Sequence, residues 1–255
     1  MDSFVRSPSG VRAATGSCAR LSLLGRFELA IAGEIVSVPL QGQRLLALLA
    51  INDGPLLRGY VAGTLWLDTS EERAHANLRS TIWRVNGCGH RVVEAHGQQL
   101  QLAPEVDVDL RAAAGLALRL IDRSAGSDDV GQGPDPLARD VLPDWYEEWI
   151  LAERERFRQL RLHALESLCE RLTAAGDIFG ALRAGLAAVA GDPVRESAHR
   201  ALIRVYLAEG NPGEALRQYR IFKEVVREQL GLEPSSQIED LVAELTARPG
   251  LTATQ

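Results

Sequence analysis

One segment of the chain, residues 69–86, carries polar side chains at spacings that would suit contact with DNA. If this segment is a helix, at about 100° per residue one side of it holds guanidinium, amide and hydroxyl groups around a small residue. Those residues are Arg73, Ala76, Asn77, Ser80, Trp83 and Arg84. Guanidinium and amide groups can bond to base edges in the major groove. An ordinary amphipathic surface helix would explain the same pattern equally well, so the rest of the chain has to discriminate.

The segment is expected to be helical because its start and its apolar positions both follow helix rules. Thr69 with Glu72 three residues later is the signature of a capping box, in which the two residues satisfy backbone amides at the helix start. Apolar residues then recur at steps of four, four and three, which predicts one buried ridge along the helix. The ridge consists of Ala74, Leu78, Ile82 and Val85.

The segments on both sides are typical of a winged helix. Alternating apolar residues around Gly25 and Gly33 predict two or three short strands, with a hairpin corner at residues 32–34. Two apolar helices are then expected before the third, and a two-stranded ribbon with a glycine at its tip after it. These elements are predicted at residues 41–51, 58–67, 91–95 and 99–102. In such a layout the third helix enters the major groove, and the hairpin reaches the neighbouring backbone or minor groove.

The rest of the chain is predicted to be helical, with an internal repeat. Helices are expected at residues 110–121 and 144–175, after an extended joint at 103–109 and around a surface loop at 122–140. Four residues then recur 34 positions later: Leu168, Gly176, Ala181 and Leu182 match Leu202, Gly210, Ala215 and Leu216. This period is typical of tetratricopeptide repeats, whose stacked helix pairs offer a concave face to partner proteins. Two unrelated helix pairs that share glycine turns are the alternative.

The charge balance limits how the first region could bind DNA. The chain has 28 Lys and Arg against 34 Asp and Glu, a net charge of −6. Residues 20–105 contain eight Arg and eight acidic residues, so this region is neutral and the acidic excess lies further along. A neutral domain can bind DNA if its arginines gather on one face, and the electrostatic contribution is then modest.

Several features predict a cytoplasmic protein without a membrane segment. The three cysteines, Cys18, Cys88 and Cys169, are odd in number and far apart, which argues against a disulfide framework or a zinc site. No apolar run approaches the roughly 18 residues that span a bilayer. Residues 1–19 lack the apolar centre of a secretory signal and are predicted to be a disordered tail, and residues 249–255 a second tail.

Residue patterns for catalysis, cofactors and metals are not found in the sequence. There is no glycine-rich phosphate loop followed by Lys and Ser or Thr, and no nucleophile elbow. The five histidines do not cluster with cysteines or carboxylates at metal-ligand spacing. A Ser-His-Asp group assembled from distant positions stays open, but we predict that the protein is not an enzyme, has no catalytic residues and needs no cofactor or metal.

Four stretches of the sequence resemble the actinobacterial antibiotic regulatory proteins, the SARP-type activators. They are LSLLGRFEL, VAGTLWLDTSEERAHANLRSTIWRV, LPDWYEEWILAERERFRQLRLHALESL and RESAHRALIRVYLAEGNPGEALRQYRIFKEVVREQLGLEPS. The resemblance implies an α+β winged helix like that of response regulators at residues 20–108. An all-α tetratricopeptide-like bacterial transcriptional activation domain would follow at residues 109–248.

The same resemblance implies partners and a place of action. It implies binding to direct repeats in double-stranded DNA near promoters, as a dimer on the DNA, and recruitment of RNA polymerase with its sigma factor. The regulated genes would belong to secondary metabolism, and the protein would be nucleoid-associated in the cytoplasm.

Residue roles also follow from the resemblance. Arg84 matches the helix arginine that would reach a base, and Asn77 and Ser80 occupy the other positions that face the groove. Phosphate contacts are expected from Arg73 and Arg79 on the flanks and from Thr81 at the edge, and His96 at the wing tip would enter the minor groove.

The chain departs from the family pattern after Val85, where Asn86 and Gly87 replace the further arginines that often follow. That departure predicts weaker anchoring to the DNA backbone. It also keeps a second hypothesis open, a protein-interaction scaffold whose winged helix binds DNA weakly or not at all. Trp83 is expected to pack against the helical domain or the wing rather than contact a base.

Overall fold

A computed structural model describes residues 19–52, 54–87, 91–122 and 124–246. Residues 244–246 are described by their backbone alone. The predicted tails at 1–19 and 249–255 lie outside these residues except for Ala19, which begins the first strand and so does not belong to a tail. The described residues form two compact units. The first comprises residues 19–23 and 27–108, and the second residues 24–26 and everything from Asp109 onward.

The first unit contains three helices and seven short strands. Its helices are α1 (Leu40–Ile51), α2 (Arg58–Leu65) and α3 (Glu71–Asn86). Its strands are β1 (Ala19–Ser22), β2 (Glu28–Ile31), β3 (Glu34–Val36), β4 (Leu56–Leu57), β5 (Val93–His96), β6 (Gln99–Leu102) and β7 (Val106–Val108). Strands, three helices and a hairpin follow in the predicted order, so the winged helix is confirmed.

The strands form two separate sheets. The four-stranded sheet has the order β3-β2-β1-β7, and the three-stranded sheet has the order β4-β6-β5. β2 and β3 are joined through Ala32 and Gly33, whose φ angles of 51° and 87° are those of the tight hairpin turn expected there. β7 was predicted only as an extended joint. It pairs in parallel with β1, with Ala19 opposite Val106 and Leu21 opposite Val108.

The core of the first unit fixes the position of α3. Leu45, Leu46 and Leu49 of α1 are fully buried, and α1 approaches α3 closely at Gly42. A Cβ atom at Gly42 would lie 2.8 Å from Val38 Cγ1 and 2.9 Å from Val85 Cγ2. Only a residue without a side chain fits between these two methyl groups, so glycine sets how near α3 lies to α1.

The second unit is helical throughout. Its helices are α4 (Asp109–Ile121), α5 (Ser127–Gly131), α6 (Glu148–Ala175), α7 (Ile178–Gly191), α8 (Glu196–Ala208), α9 (Pro212–Leu230) and α10 (Ser236–Thr246), with a 3-10 turn at Asp135–Leu137. α5 and the 3-10 turn lie in the stretch predicted to be an irregular loop. α6 begins at Glu148, four residues later than expected.

The 34-residue repeat is visible in the backbone. Gly176 and Gly210 end α6 and α8 with φ angles of 80° and 79°, a left-handed conformation that glycine adopts without strain. After each glycine, the side chain of Asp177 or Asn211 accepts a hydrogen bond from an amide three residues on, at 2.9 and 3.3 Å. These equivalent turns confirm the predicted all-α tetratricopeptide-like domain. Among the described residues, no helix is long and apolar enough to span a bilayer.

Candidate nucleic-acid interface

α3 packs into the first unit along a stripe that differs from the predicted ridge at one position. The buried residues are Ala74, Leu78, Thr81 and Val85. Thr81 thus takes the place expected for Ile82, which is half-buried. At about 100° per residue the four observed positions fall within about 60° of arc, narrower than the predicted ridge. Relative to the prediction, α3 is therefore rotated about its axis so that Thr81, and not Ile82, is buried.

This rotation removes Thr81 from the candidate contact residues. Its side chain is 7% exposed and lies on the packed side of α3. The structure gives the expected phosphate contact of Thr81 no support, because the side chain is buried.

The predicted capping box at the start of α3 is also wrong. The helix begins at Glu71 with Ser70 at the N-cap, and no side-chain hydrogen bond caps it. The Thr69 hydroxyl instead donates to the Trp66 carbonyl at 3.1 Å, within the preceding turn. Glu71 and Glu72 in the first turn are favourably placed at the positive end of the helix dipole.

The outer face of α3 presents three guanidinium groups that have no acidic partner among the described residues. Arg73, Arg79 and Arg84 are exposed, as is Ser80, whereas Asn77 is half-buried. Within the part of the chain that the structure describes, no carboxylate lies at ion-pair distance from any of these three guanidinium groups. Their charges are thus available to an anionic partner.

The wing is the β5–β6 hairpin, whose tip is Gly97 with a φ angle of 60°. His96 next to the tip is exposed, and its Nε2 atom lies 3.2 Å from Glu94 Oε2. The hydrogen bond from His96, together with one from Gln101, lowers the pKa of the Glu94 carboxyl. The imidazole therefore has a partner on its own strand, which it would have to leave to enter a minor groove.

Asn86 ties the end of α3 to the wing. Its side-chain oxygen accepts hydrogen bonds from the amides of Val92 at 3.1 Å and Val93 at 3.0 Å, and its Nδ2 donates to the Val93 carbonyl at 2.9 Å. In the sequence Asn86 stands out only as the replacement of an arginine. The available signal was an asparagine at the end of the predicted helix, since its amide can both donate to and accept from a backbone.

Arg58 ties the start of α2 to the tip of the wing. Its backbone amide donates to the Gln98 carbonyl at 2.8 Å, and its Nε donates to the Gly97 carbonyl at 3.2 Å. The guanidinium group is thereby held at the wing although no carboxylate balances it in the described chain. No local pattern in the sequence indicates this role of Arg58, because its partner Gly97 lies 39 residues later in the chain.

A groove of about 440 Å³ lies between the C-terminal half of α3 and the Arg58 end of α2. It is lined by Arg58, Arg79, Ile82, Trp83, Asn86 and Gly87. Trp83 is 75% exposed, so its ring does not pack against the wing, which was one of the two expected contacts. The groove combines an apolar wall with two guanidinium groups.

The histidines of the second unit have structural surroundings. His199 is 1% exposed, with Nε2 3.0 Å from the Pro193 carbonyl and Nδ1 2.8 Å from Gln218 Nε2. Burial lowers the pKa of its imidazole, and the ring packs on Phe222. His163 lies against the Arg195 guanidinium. Among the described residues, no group of three or more His, Cys, Asp and Glu side chains could hold a metal ion.

Comparison with known proteins gives three concordant findings. Residues 134–246 match the model of the bacterial transcriptional activator domain. The regulatory protein AfsR of Streptomyces coelicolor is 26% identical over 257 aligned residues, which cover 92% of this chain and 26% of AfsR. The chain thus spans about a quarter of the length of that relative.

The fold is shared with a solved structure, that of Mycobacterium tuberculosis EmbR in complex with a low-affinity phosphopeptide. The TM-score is 0.69 at 21% sequence identity, and the match covers 92% of this chain and 66% of EmbR. The likeness to EmbR shows the fold of the chain. Residues 134–246 match a bacterial transcriptional activator domain, and 92% of the chain is similar in sequence to the regulatory protein AfsR.

Proposed function

We propose that the protein is a sequence-specific DNA-binding activator, and that α3 is its recognition helix. The observation that carries the proposal is the set of arginines on the outer face of α3, Arg73, Arg79 and Arg84, whose charges have no acidic partner in the described chain. Unbalanced guanidinium groups on a helix that lies beside a wing suit the phosphates and base edges of a duplex.

The roles proposed for individual residues follow their positions on α3. Arg84 pairs with a guanine, and Ser80 and Asn77 contact neighbouring bases. Arg73 and Arg79 contact phosphates on the flanks. His96 contacts the minor groove after it leaves Glu94, so this contact is the weakest of the set.

Selection of bound sequences from a random duplex pool tests the proposal directly. The full chain is expected to enrich a direct repeat with a half-site spacing of about 10–10.5 base pairs or a multiple of it. Arg84→Ala should lose about 1–3 kcal/mol of discrimination at one base pair. Arg79→Ala should weaken binding to all sequences equally and lower the salt slope by about 1. Equal loss of specific and random binding in Arg84→Ala would contradict base reading by Arg84.

We further propose that the DNA-bound protein recruits RNA polymerase with its sigma factor through the helical unit. The match to the activator domain supports this step. The resemblance to the SARP-type activators favours a target among secondary-metabolite genes, and we place the DNA-bound protein in the cytoplasm, at the nucleoid. In a purified transcription reaction, wild-type protein should raise transcript from a promoter that carries the selected repeat. Arg84→Ala should not, and a promoter without the repeat is the control.

The proposed dimer on DNA is tested with duplexes that carry one or two half-sites. Two copies should bind the repeat and one copy the single half-site, as measured by the mass of the complex. A single copy on the full repeat would contradict the dimer.

A scaffold that binds DNA weakly is the second candidate function. It is favoured by the balance of eight arginines and eight acidic residues over residues 20–105. Absence of a shifted complex at low salt, with duplexes of random sequence, would favour the scaffold. A complex that dissociates steeply as salt rises would favour the activator.

A further inference from the structure

The groove beside α3 has a composition that the proposed base and phosphate contacts leave unexplained. Trp83 presents a large apolar surface, being 75% exposed, and Ile82 beside it is half-buried. None of the described residues that line the groove is acidic. An exposed tryptophan next to two guanidinium groups costs solubility, which suggests that a partner covers it.

The position of the groove restricts what that partner is. The groove lies between α3 and the Arg58 guanidinium, which is bound to the wing tip through the Gly97 carbonyl. If α3 occupies a major groove while the wing reaches the adjacent minor groove, one DNA strand must cross the space between them. The strand that separates the two grooves of a duplex presents its phosphates and deoxyriboses there.

We infer, on the basis of the proposed DNA binding, that this groove seats one nucleotide of that strand by its phosphate and deoxyribose. Arg58 and Arg79 lie on either side of the phosphate, and the Trp83 ring packs on the sugar. The indole N–H of Trp83 is a further donor within reach of a phosphate oxygen. Arg58 and Trp83 thereby become DNA-binding residues.

The chemistry of the lining favours a DNA strand over a peptide or a small apolar ligand. Arg58 is half-buried and held by the wing, so its charge is in place before DNA arrives. Arg79 is exposed and can close over the bound phosphate. The Asn86 oxygen and one of its two amide N–H groups are bonded to the backbone of Val92 and Val93, which fixes the side chain at the edge of the groove.

The contact is tested by phosphate ethylation interference on a duplex that carries the selected site, with full-length protein. Ethylation removes the charge of single phosphates, so it identifies each one that the protein needs. In wild type, interference is expected at a phosphate between the bases read by α3 and the minor groove under the wing. In Arg58→Gln that interference should disappear, and the salt slope should fall by about 1. The glutamine amide can still donate to the Gly97 carbonyl, which preserves the wing.

Substitution of Trp83 tests the apolar half of the site. Trp83→Ala should bind about tenfold more weakly, whereas Trp83→Phe should keep most of the affinity because a ring still covers the sugar. The matched charge control is Arg217→Gln, which removes an exposed arginine of α9 and should leave the interference pattern unchanged. Thermal melts of each variant verify the fold.

The outcomes separate this inference from the proposed function. Normal affinity and interference in both Arg58→Gln and Trp83→Ala, with specificity lost in Arg84→Ala, would overturn the groove contact and leave the activator standing. No complex with any duplex would overturn both. Normal DNA binding by Trp83→Ala with loss of polymerase binding would show that the groove takes a protein, which also overturns the inference.

Discussion

The arginines of the two units are used in opposite ways. In the helical unit several of them pair with carboxylates. Arg158 lies 2.8 Å from Glu155 and 2.9 Å from Asp192, and Arg195 lies 2.7 Å from Glu166. On α3, the three outward arginines have no such partner among the described residues. The first set holds helices together, whereas the second is available for binding. Net charge does not reveal this difference, since the first region is neutral.

The largest loss of stability is expected when Arg195 is substituted, and it tests the contrast between the paired and the unpaired arginines. The side chains of Arg195 and Glu166 are 15% and 14% exposed, and Ser197 also donates to Glu166 at 2.6 Å. Arg195→Ala should cost about 3 kcal/mol of unfolding free energy, the lower end for a buried pair, because it leaves a poorly solvated carboxylate. Chemical denaturation measures the loss. Arg84→Ala is the matched control, with an expected change within about 0.5 kcal/mol. Similar losses in both variants would remove the contrast.

Asn86 is the place where the first unit also uses a polar side chain for architecture. Asn86→Ala should cost about 2 kcal/mol, because two wing amides and one carbonyl lose their partner. Hydrogen exchange at Val92 and Val93 should quicken in this variant. Asn86→Asp keeps the two acceptor bonds and should retain protection of both amides. Unchanged exchange in Asn86→Ala would show that the wing is held by other contacts.

Substitution of Arg73 should weaken DNA binding and leave stability unchanged, which is the opposite of the expectation for Arg195. Arg73→Gln is expected to reduce the slope of log affinity against log salt by about 1, since one phosphate contact is lost. Its melting curve should match that of the wild-type protein. A salt slope equal to the wild-type value would assign Arg73 to solvent rather than to DNA.

The smallest effect is a pH dependence confined to the helical unit. Hydrogen bonds from Arg158 and Gln159 lower the pKa of Glu155 to about 2 from its ordinary 4.5. A carboxyl whose pKa is lower in the folded state stabilises the protein above the unfolded pKa, and this contribution is lost as pH falls from about 4.5 to about 2. Glu155 is 56% exposed, so the effect is small. Carboxyl NMR titration should place its midpoint near the lower value, and Glu155→Gln should flatten the acid limb of stability.

The sequence predicted the elements better than it predicted their contacts. The repeat was readable because Gly176 and Gly210 end helices by the same local rule, which operates within a few residues. The periodicity favoured Ile82 over Thr81 because isoleucine is more apolar, and it did not reveal that Thr81 is the one of the two that is buried. The pairing of β7 with β1 joins residues 87 positions apart, which no local pattern reports.

The candidate site was predictable to a similar degree. Arg73, Arg79, Ser80 and Arg84 follow from helical periodicity, and all four are exposed. Arg58 and Asn86 gain their roles only through the wing, which folds back on them. Their side-chain partners lie 39 and up to seven residues away, and the sequence gives no indication of which backbone groups they meet.

The parallel pairing of β1 and β7 determines how the winged-helix unit would respond to mechanical force. Ala19 begins β1 and Val108 ends β7, and residues 24–26 between these two points belong to the second unit. Tension applied at these two points pulls neighbouring parallel strands in opposite directions along their length. Hydrogen bonds loaded in shear must break together, whereas those of a hairpin pulled at its open end break one at a time. The pairing of β1 with β7 should therefore resist separation when the chain is pulled at these two points.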